Sequence, residues 1–382
     1  MSRLLIAAAS LMLIGLLGIP ANANGDKPRD RESREEPTAE LLKDAVKGDP
    51  GIQSIQCMSF GPKGLLLIGD GKGAQLVAIQ TADIKPLGEF KKLTGLHAKL
   101  AAKFKLRASD IMVTAYAANR ESGCAYFAIN RQDGRGHMLA QVKPDGSIEE
   151  IKLNDVTYSA VKINMPKAAG NAIFNALLYT PTQIVASATA DASFAAHVMT
   201  VPVPFKNECT VVSASSFHVT HGGWETNAPL EKMALWEEGG ESYIVAGLTC
   251  TPVVKYALKD IKQGAQLKGK TPFDFGGGQQ PIDMFVAGGA LYCNVDGWEE
   301  PYVVRISKDL IAGGKGIDEK APTITQEKDG RNELVKSVAS MAQVVPKLAK
   351  AEGLMPLGDK QVLVMRVANG DMELEAVTLE TK

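Results

Sequence analysis

Aromatic side chains are scarce in this chain, only 6% of its residues, and neither sign of charge dominates: 42 basic against 43 acidic side chains leave a net charge of −1. A balanced chain has no overall field to gather phosphates, so composition argues against a nucleic-acid partner. Histidine and cysteine are limited to 5 residues each. Cys57, Cys124, Cys209, Cys250 and Cys293 form no C-x-x-C or C-x-x-C-H pattern, which argues against zinc ribbons and attached c-type haem. Cys57, Cys124 and Cys293 lie in apolar runs, where a free thiol packs as a small hydrophobe. Cys209 and Cys250 flank one region and are the pair an oxidising compartment would offer for a disulfide. There is no G-x-S-x-G elbow, H-E-x-x-H helix or D-x-[DN]-x-[DN]-G calcium loop. Gly69-Asp70-Gly71-Lys72-Gly73 is rich in glycine but lacks phosphate-loop spacing, and it reads as a hairpin turn.

Glycine, by contrast, is abundant at 37 of 382 residues, as a fold with many tight turns requires. The N-terminus carries Arg3, an apolar run from Leu4 to Ile19, then Pro20 and the small-residue pattern Ala21-Asn22-Ala23. This is the layout of a cleaved signal peptide over residues 1–23, and the run is short for a membrane span of about 20 residues. It predicts an exported protein, periplasmic or extracellular, with no transmembrane span after cleavage. Residues 24–50 include the charged stretch Asp30 to Glu36 and few large apolar residues. They predict a disordered linker with a short helix near Ala39 to Val46. Residues 51–382 are expected to form one domain.

That domain is repetitive in pattern. Each unit opens with an apolar run, passes a turn, and continues into a second apolar run. The openings are Ser54, Ser109, Asn171, Pro229, Pro281 and Ser337. A period of about 50 residues with four short strands per unit is that of a β-propeller blade. Later strands of the units are visible too, for example at Ala74 to Ile79, Met138 to Val142, Val198 to Val203, Val253 to Ala257 and Tyr302 to Ile306. A doubly wound α/β fold would need an amphipathic helix after nearly every strand. Only Thr94 to Arg107 has that pattern, with Leu96, Leu100 and Phe104 on one face and Lys99, Lys103 and Lys105 on the other. The expected fold is therefore all-β: a six-bladed β-propeller with one helical insertion, preceded by a signal peptide and a disordered linker.

Side chains near the starts of the innermost strands converge on a propeller's axis, where a ligand would be gripped. The polar residues there are Gln53, Asp110, Asn171, Glu225, Asn227, Gln280 and Asp283. Their carboxylates and amides suit a hard cation such as calcium, with Glu225 and Asp283 as ligands. The densest polar cluster is His218 to Asn227. His218 and His221 are three apart, which on a regular strand sets them on opposite sides. His221 and Glu225 can act as base and orienting partner, or hold a metal together. The plainer alternative is a loop that Glu225 and Asn227 pin to the backbone. Candidate ligand-binding residues are thus His218, His221, Glu225, Asn227 and Asp283.

Ser59-Phe60-Gly61-Pro62-Lys63-Gly64 followed by Ile68-Gly69-Asp70 resembles the first blade of a group of uncharacterised exported bacterial propellers. His221-Gly222, Glu225 to Pro229, Thr249 to Pro252 and Pro281 to Met284 match the same group in order. It is similar in outline to NHL-type and gluconolactonase-like six-bladed propellers. The resemblance implies fold and export, and no reaction. Gly276 to Gln280 departs from the group's more charged version, so no site residue is carried over at Gln280. Two functions are expected: a binding or scaffold module for a protein or small-molecule partner, without a cofactor, or a metal-assisted hydrolase or lactonase using His221, Glu225 and Asp283.

Overall fold

The structure is a computed structural model that describes residues 41–164, 173–190, 195–219, 221–297, 300–312, 317 and 328–380. The expected signal peptide, most of the linker and Asn171 lie outside the described residues.

Glu40–Lys382 forms a compact unit whose described residues build six sheets, antiparallel throughout except where Gln266–Lys268 pairs parallel to Thr210–His218. The blades are numbered by the chain order of their innermost strands: Cys57–Phe60, Ile111–Ala118, Ile173–Tyr179, Leu230–Glu238, Gln280–Ala287 and Gly353–Pro356. The second strands explain why the chain reads as near-continuous apolar runs. Leu65–Asp70 is buried at every position, because neighbouring blades cover both of its faces. The turn after it, Gly71 to Ala74, joins Leu65–Asp70 to Gln75–Gln80, so the glycine-rich stretch is the hairpin expected.

Blade order around the ring differs from order along the chain. Three strands of blade 1 are made first, then all of blade 2, and only then does Val156–Lys162 return as the fourth strand of blade 1. Val46–Gly48 adds a fifth strand outside it. That strand replaces the short helix expected near Ala39 to Val46: the exposed ladder of Val156–Lys162 gives its backbone partners. Leu42 is buried and bridges Phe205.

Six hydrophobic clusters mark the blade contacts. Blade 1 packs on blade 3 through Leu67, Phe174 and Ala186, and blade 3 on blade 4 through Val198, Leu230 and Ile244. Blade 4 meets blade 5 through Val245, Met284 and Leu291, and blade 5 meets blade 6 through Phe285, Tyr292 and Val364. Blade 6 meets blade 2 through Leu363, Leu374, Phe127 and Ile129, and blade 2 returns to blade 1 through Ile68, Val77 and Tyr126. The ring order is thus 1, 3, 4, 5, 6, 2. Close approach has a visible requirement at Gly69: a β-carbon there would lie 2.6 Å from Cys57 Sγ and 3.0 Å from Phe174 Cβ.

Three α-helices are present among the described residues: α1 (Leu96–Lys103), α2 (Lys308–Ala312) and α3 (Lys328–Ala339). α1 is the expected insertion, while α2 and α3 were not expected. They explain the one misplaced blade opening. Ser337 lies in α3, and Gln343–Val344 is the fourth strand of blade 5. The inner strand of blade 6 starts only at Gly353. The helical excursion in blade 5 made the wrong apolar run fall on the period. No helix among the described residues is long and apolar enough to cross a membrane.

Candidate functional site

The six inner strands surround a central cavity of about 650 Å³, within the size range of small-molecule sites. Four of these strands break register near their start, with Thr114, Asn175, Glu231 and Ile282 as the extra residues. A β-bulge re-aims the side chains beside it. Here Thr114, Asn175 and Glu231 make bonds that cross to the neighbouring blade. Thr114 Oγ1 donates to the Ile55 carbonyl at 3.0 Å. Asn175 Nδ2 donates to Glu231 Oε2 at 3.3 Å, and Thr249 Oγ1 donates to Glu231 Oε1 at 2.5 Å. The Asn175 amide oxygen, Oδ1, is buried and has no hydrogen-bond partner among the described residues.

Asp283 follows the bulge in blade 5 and faces this cavity. Its Oδ2 accepts from Leu354 N–H at 2.8 Å and from the Tyr116 hydroxyl at 3.1 Å, and its Oδ1 accepts from Met284 N–H at 2.9 Å. Burial pushes its carboxyl up, opposed by the nearby Lys232 ammonium and by these donors. Burial and the Asp283 charge raise the Tyr116 phenol well above its ordinary value. Tyr116 belongs to blade 2, so its side chain passes the short inner strand of blade 6 to reach blade 5. Gly353 makes room: a β-carbon there would lie 2.7 Å from the tyrosine ring. Lys232, which follows the bulge in blade 4, is half-buried against the cavity and makes no ion pair or hydrogen bond among the described residues.

The histidine cluster lies elsewhere. Thr210–His218 is the fourth strand of blade 3, and Gly223–Glu225 is a short fifth strand at its outer edge. Gly222, at φ 70°, makes the reversal between them, and its N–H bonds the His218 carbonyl at 2.7 Å. This turn overrides the alternation of a regular strand and stacks the His218 and His221 rings 5.4 Å apart, 26° from parallel. His221 Nδ1 bonds Glu225 Oε1. Glu225 therefore holds an imidazole rather than pinning the loop backbone. His218 Nδ1 lies 3.3 Å from Glu225 Oε2, but the approach is poorly directed, and neither ring nitrogen has a hydrogen-bond partner among the described residues. His218 is 2% exposed. Burial pushes its imidazole below the usual range, Glu225 pulls it up, and His221 adds a downward push. Phe217, Val219, Ile317 and Val335 of α3 form an apolar backing.

The sequence candidates thus divide between two places. His218, His221 and Glu225 come together at the edge of blade 3. Asp283 lines the channel instead, so the expected pairing of Glu225 with Asp283 as joint metal ligands does not form. Asn227 is exposed beyond the short strand. Gln53 contributes its backbone N–H, not its side chain, to Asp70; that carboxylate also binds Ser54, Gly73 and Gln75. Asp110 pairs with Arg107 at the surface. Gln280 pairs with Asp296 in the ladder, outside the cavity lining. Channel residues that sequence reading missed include Tyr116, Asn175 and Lys232, with Glu231 bonded to Asn175 beside them. Their signal was a polar residue interrupting an apolar inner run. All five cysteines are free, Cys209 and Cys250 included.

No family model and no curated protein matches the sequence. Among solved structures, the fold is similar to hydrazine synthase of Kuenenia stuttgartiensis at 12% identity and a TM-score of 0.39, over 87% of this chain and 98% of that one. It is similar to a GH43 endo-arabinanase from Bacillus licheniformis at 10% identity and a TM-score of 0.35, over 69% and 93% of the two chains. A protein from Lactobacillus plantarum is similar at 11% identity and a TM-score of 0.35, over 85% and 84%.

Proposed function

We propose that this chain is an exported binding protein whose central channel holds a small polar ligand bearing an anionic group. The observation that supports the reading is the Lys232 ammonium, half-buried against a cavity of about 650 Å³ without a bonded carboxylate among the described residues. A cation in a confined, partly desolvated cavity attracts an anion more strongly than the same charge on an open surface. Beside it stand the Asn175 amide and the Tyr116–Asp283 pair. Met58, Met233 and Phe285 are among the apolar residues of the lining. Sugar acids, dicarboxylates and sugar phosphates have this mixed chemistry. A hydrolytic reading needs His221, Glu225 and Asp283 at one mouth of the channel, and these residues lie at two places.

Thermal unfolding with members of these three compound classes tests the reading. A ligand at a hundred times its Kd stabilises the folded state by about 2.7 kcal/mol. At least one anion is expected to raise the Tm, and Lys232→Met is expected to abolish that rise in a protein that still folds. A panel without any shift, or a shift that Lys232→Met retains, refutes it.

A further inference from the structure

We infer that His218, His221 and Glu225 form a binding site for a borderline-soft divalent transition-metal ion, of which Zn²⁺ is the reference case. The first support is geometry: one ligand atom from each of the three residues lies within 4.8 Å of the others. In a tetrahedral zinc shell, with metal–nitrogen and metal–oxygen distances of about 2.0–2.2 Å, ligand atoms stand roughly 3.3 Å apart. His218 Nδ1 and Glu225 Oε2 are already at 3.3 Å. His221 need only draw back from its direct bond to Glu225 to admit an ion. It is exposed and sits beside Gly222 and Gly223, so that adjustment meets little resistance.

The second support is independent of the first. A fully buried imidazole without a hydrogen bond is costly, because the group loses its water and gains nothing. His218 is in that position, with both ring nitrogens unpartnered among the described residues and one of them facing the Glu225 carboxylate. A metal ion bound between the three side chains would supply the missing partner. Two imidazoles and one carboxylate select against calcium and magnesium, which take oxygen ligands, and favour zinc and its neighbours. The site is three-ligand, so one or more positions remain for water or an outside group on the His221 side. On the other side, Phe217 and Val219 form an apolar wall.

The site is separate from the channel: none of its residues lines the central cavity. Its test is correspondingly separate from that of Lys232. Tag-free protein, freed of metal by chelator and dialysis, is titrated with ZnCl₂ by calorimetry, with CaCl₂ and MgCl₂ in parallel. CoCl₂ is then added to record visible d–d absorption. The expected result is one Zn²⁺ per chain, a tetrahedral cobalt spectrum, and no comparable heat with calcium or magnesium. Loss of an outer-shell partner alone costs about 10–100-fold in metal affinity, so His221→Ala and Glu225→Gln should each cost about 100-fold or more. Both positions are solvent-accessible, and circular dichroism checks that the variants fold; buried His218 is left unaltered for that reason. Lys232→Met should leave zinc binding unchanged. Absence of stoichiometric zinc binding overturns the inference, and so does zinc binding that both variants retain.

Discussion

Tyr116 links three blades by one hydroxyl and one ring. It starts on blade 2, passes over Gly353 of blade 6, and donates to Asp283 of blade 5. Two substitutions separate the bond from the fit. Tyr116→Phe removes only the hydroxyl and should cost about 1 kcal/mol. Gly353→Ala places a methyl group 2.7 Å from the ring. It must push the ring off its seat, at an overpacking cost of about 1–3 kcal/mol. Urea unfolding followed by tryptophan fluorescence compares them, and Gly353→Ala should be the more damaging. Equal midpoints would mean that the ring is not clamped by blade 6. At this scale the sequence was partly legible. Asp283 was marked by its place near a strand start, but Tyr116 was not, since it comes from a blade distant in the chain and acts across a gap that a glycine opens.

Single elements carry local solutions that draw on remote residues. α1 begins at Gly95, in the left-handed region at φ 64°, and has no side-chain cap of its own. The cap comes from the far end of the chain. Asp371 accepts from His97 N–H at 2.9 Å and from Ala98 N–H at 3.2 Å, placing a carboxylate at the positive end of the helix. Asp371→Ala should cost about 1 kcal/mol. It should also speed amide exchange in Leu96–Lys103 ahead of the strands of blade 4. Uniform acceleration over both regions would show that the carboxylate does not act as a cap. The four-residue spacing of Leu96, Leu100 and Phe104 announced the helix. Its cap was invisible, because 274 residues separate His97 from Asp371. The bulges were equally hidden: a register break is a relation between two strands, not a property of one.

For the whole molecule, the decisive feature is the placing of blade 2 inside blade 1. Five of the six blade contacts join blades that the chain also links directly. Blade 6 and blade 2 are the pair without a direct chain connection; packing, the Leu93–Leu374 bridge, the Lys92–Glu373 ion pair and the Asp371 cap hold them together. Leu374 is 0% exposed in that seam. Leu374→Ala should cost about 2–5 kcal/mol. A closed ring shares its losses, so circular dichroism and tryptophan fluorescence should still report one coincident transition at a lower midpoint. Early, separate melting of blade 6 would show that the ring does not unfold as a unit.

Strand content, blade number and the positions of five inner strands followed from the sequence alone. They rest on local patterns: apolar runs buried on both faces, glycine-bearing turns and a period near 50 residues. Blade order, the helices within blade 5 and the contents of the two candidate sites were decided only in three dimensions. The sequence placed His218 and His221 on opposite sides of a strand, and the turn at Gly222 brought them together. It grouped Glu225 with Asp283, and the fold set one at a blade edge and the other in the channel. The physical reason is the same in each case. Hydrophobic periodicity is written in neighbouring residues, whereas convergence of polar groups depends on closure, bulges and turns that join segments far apart in the chain.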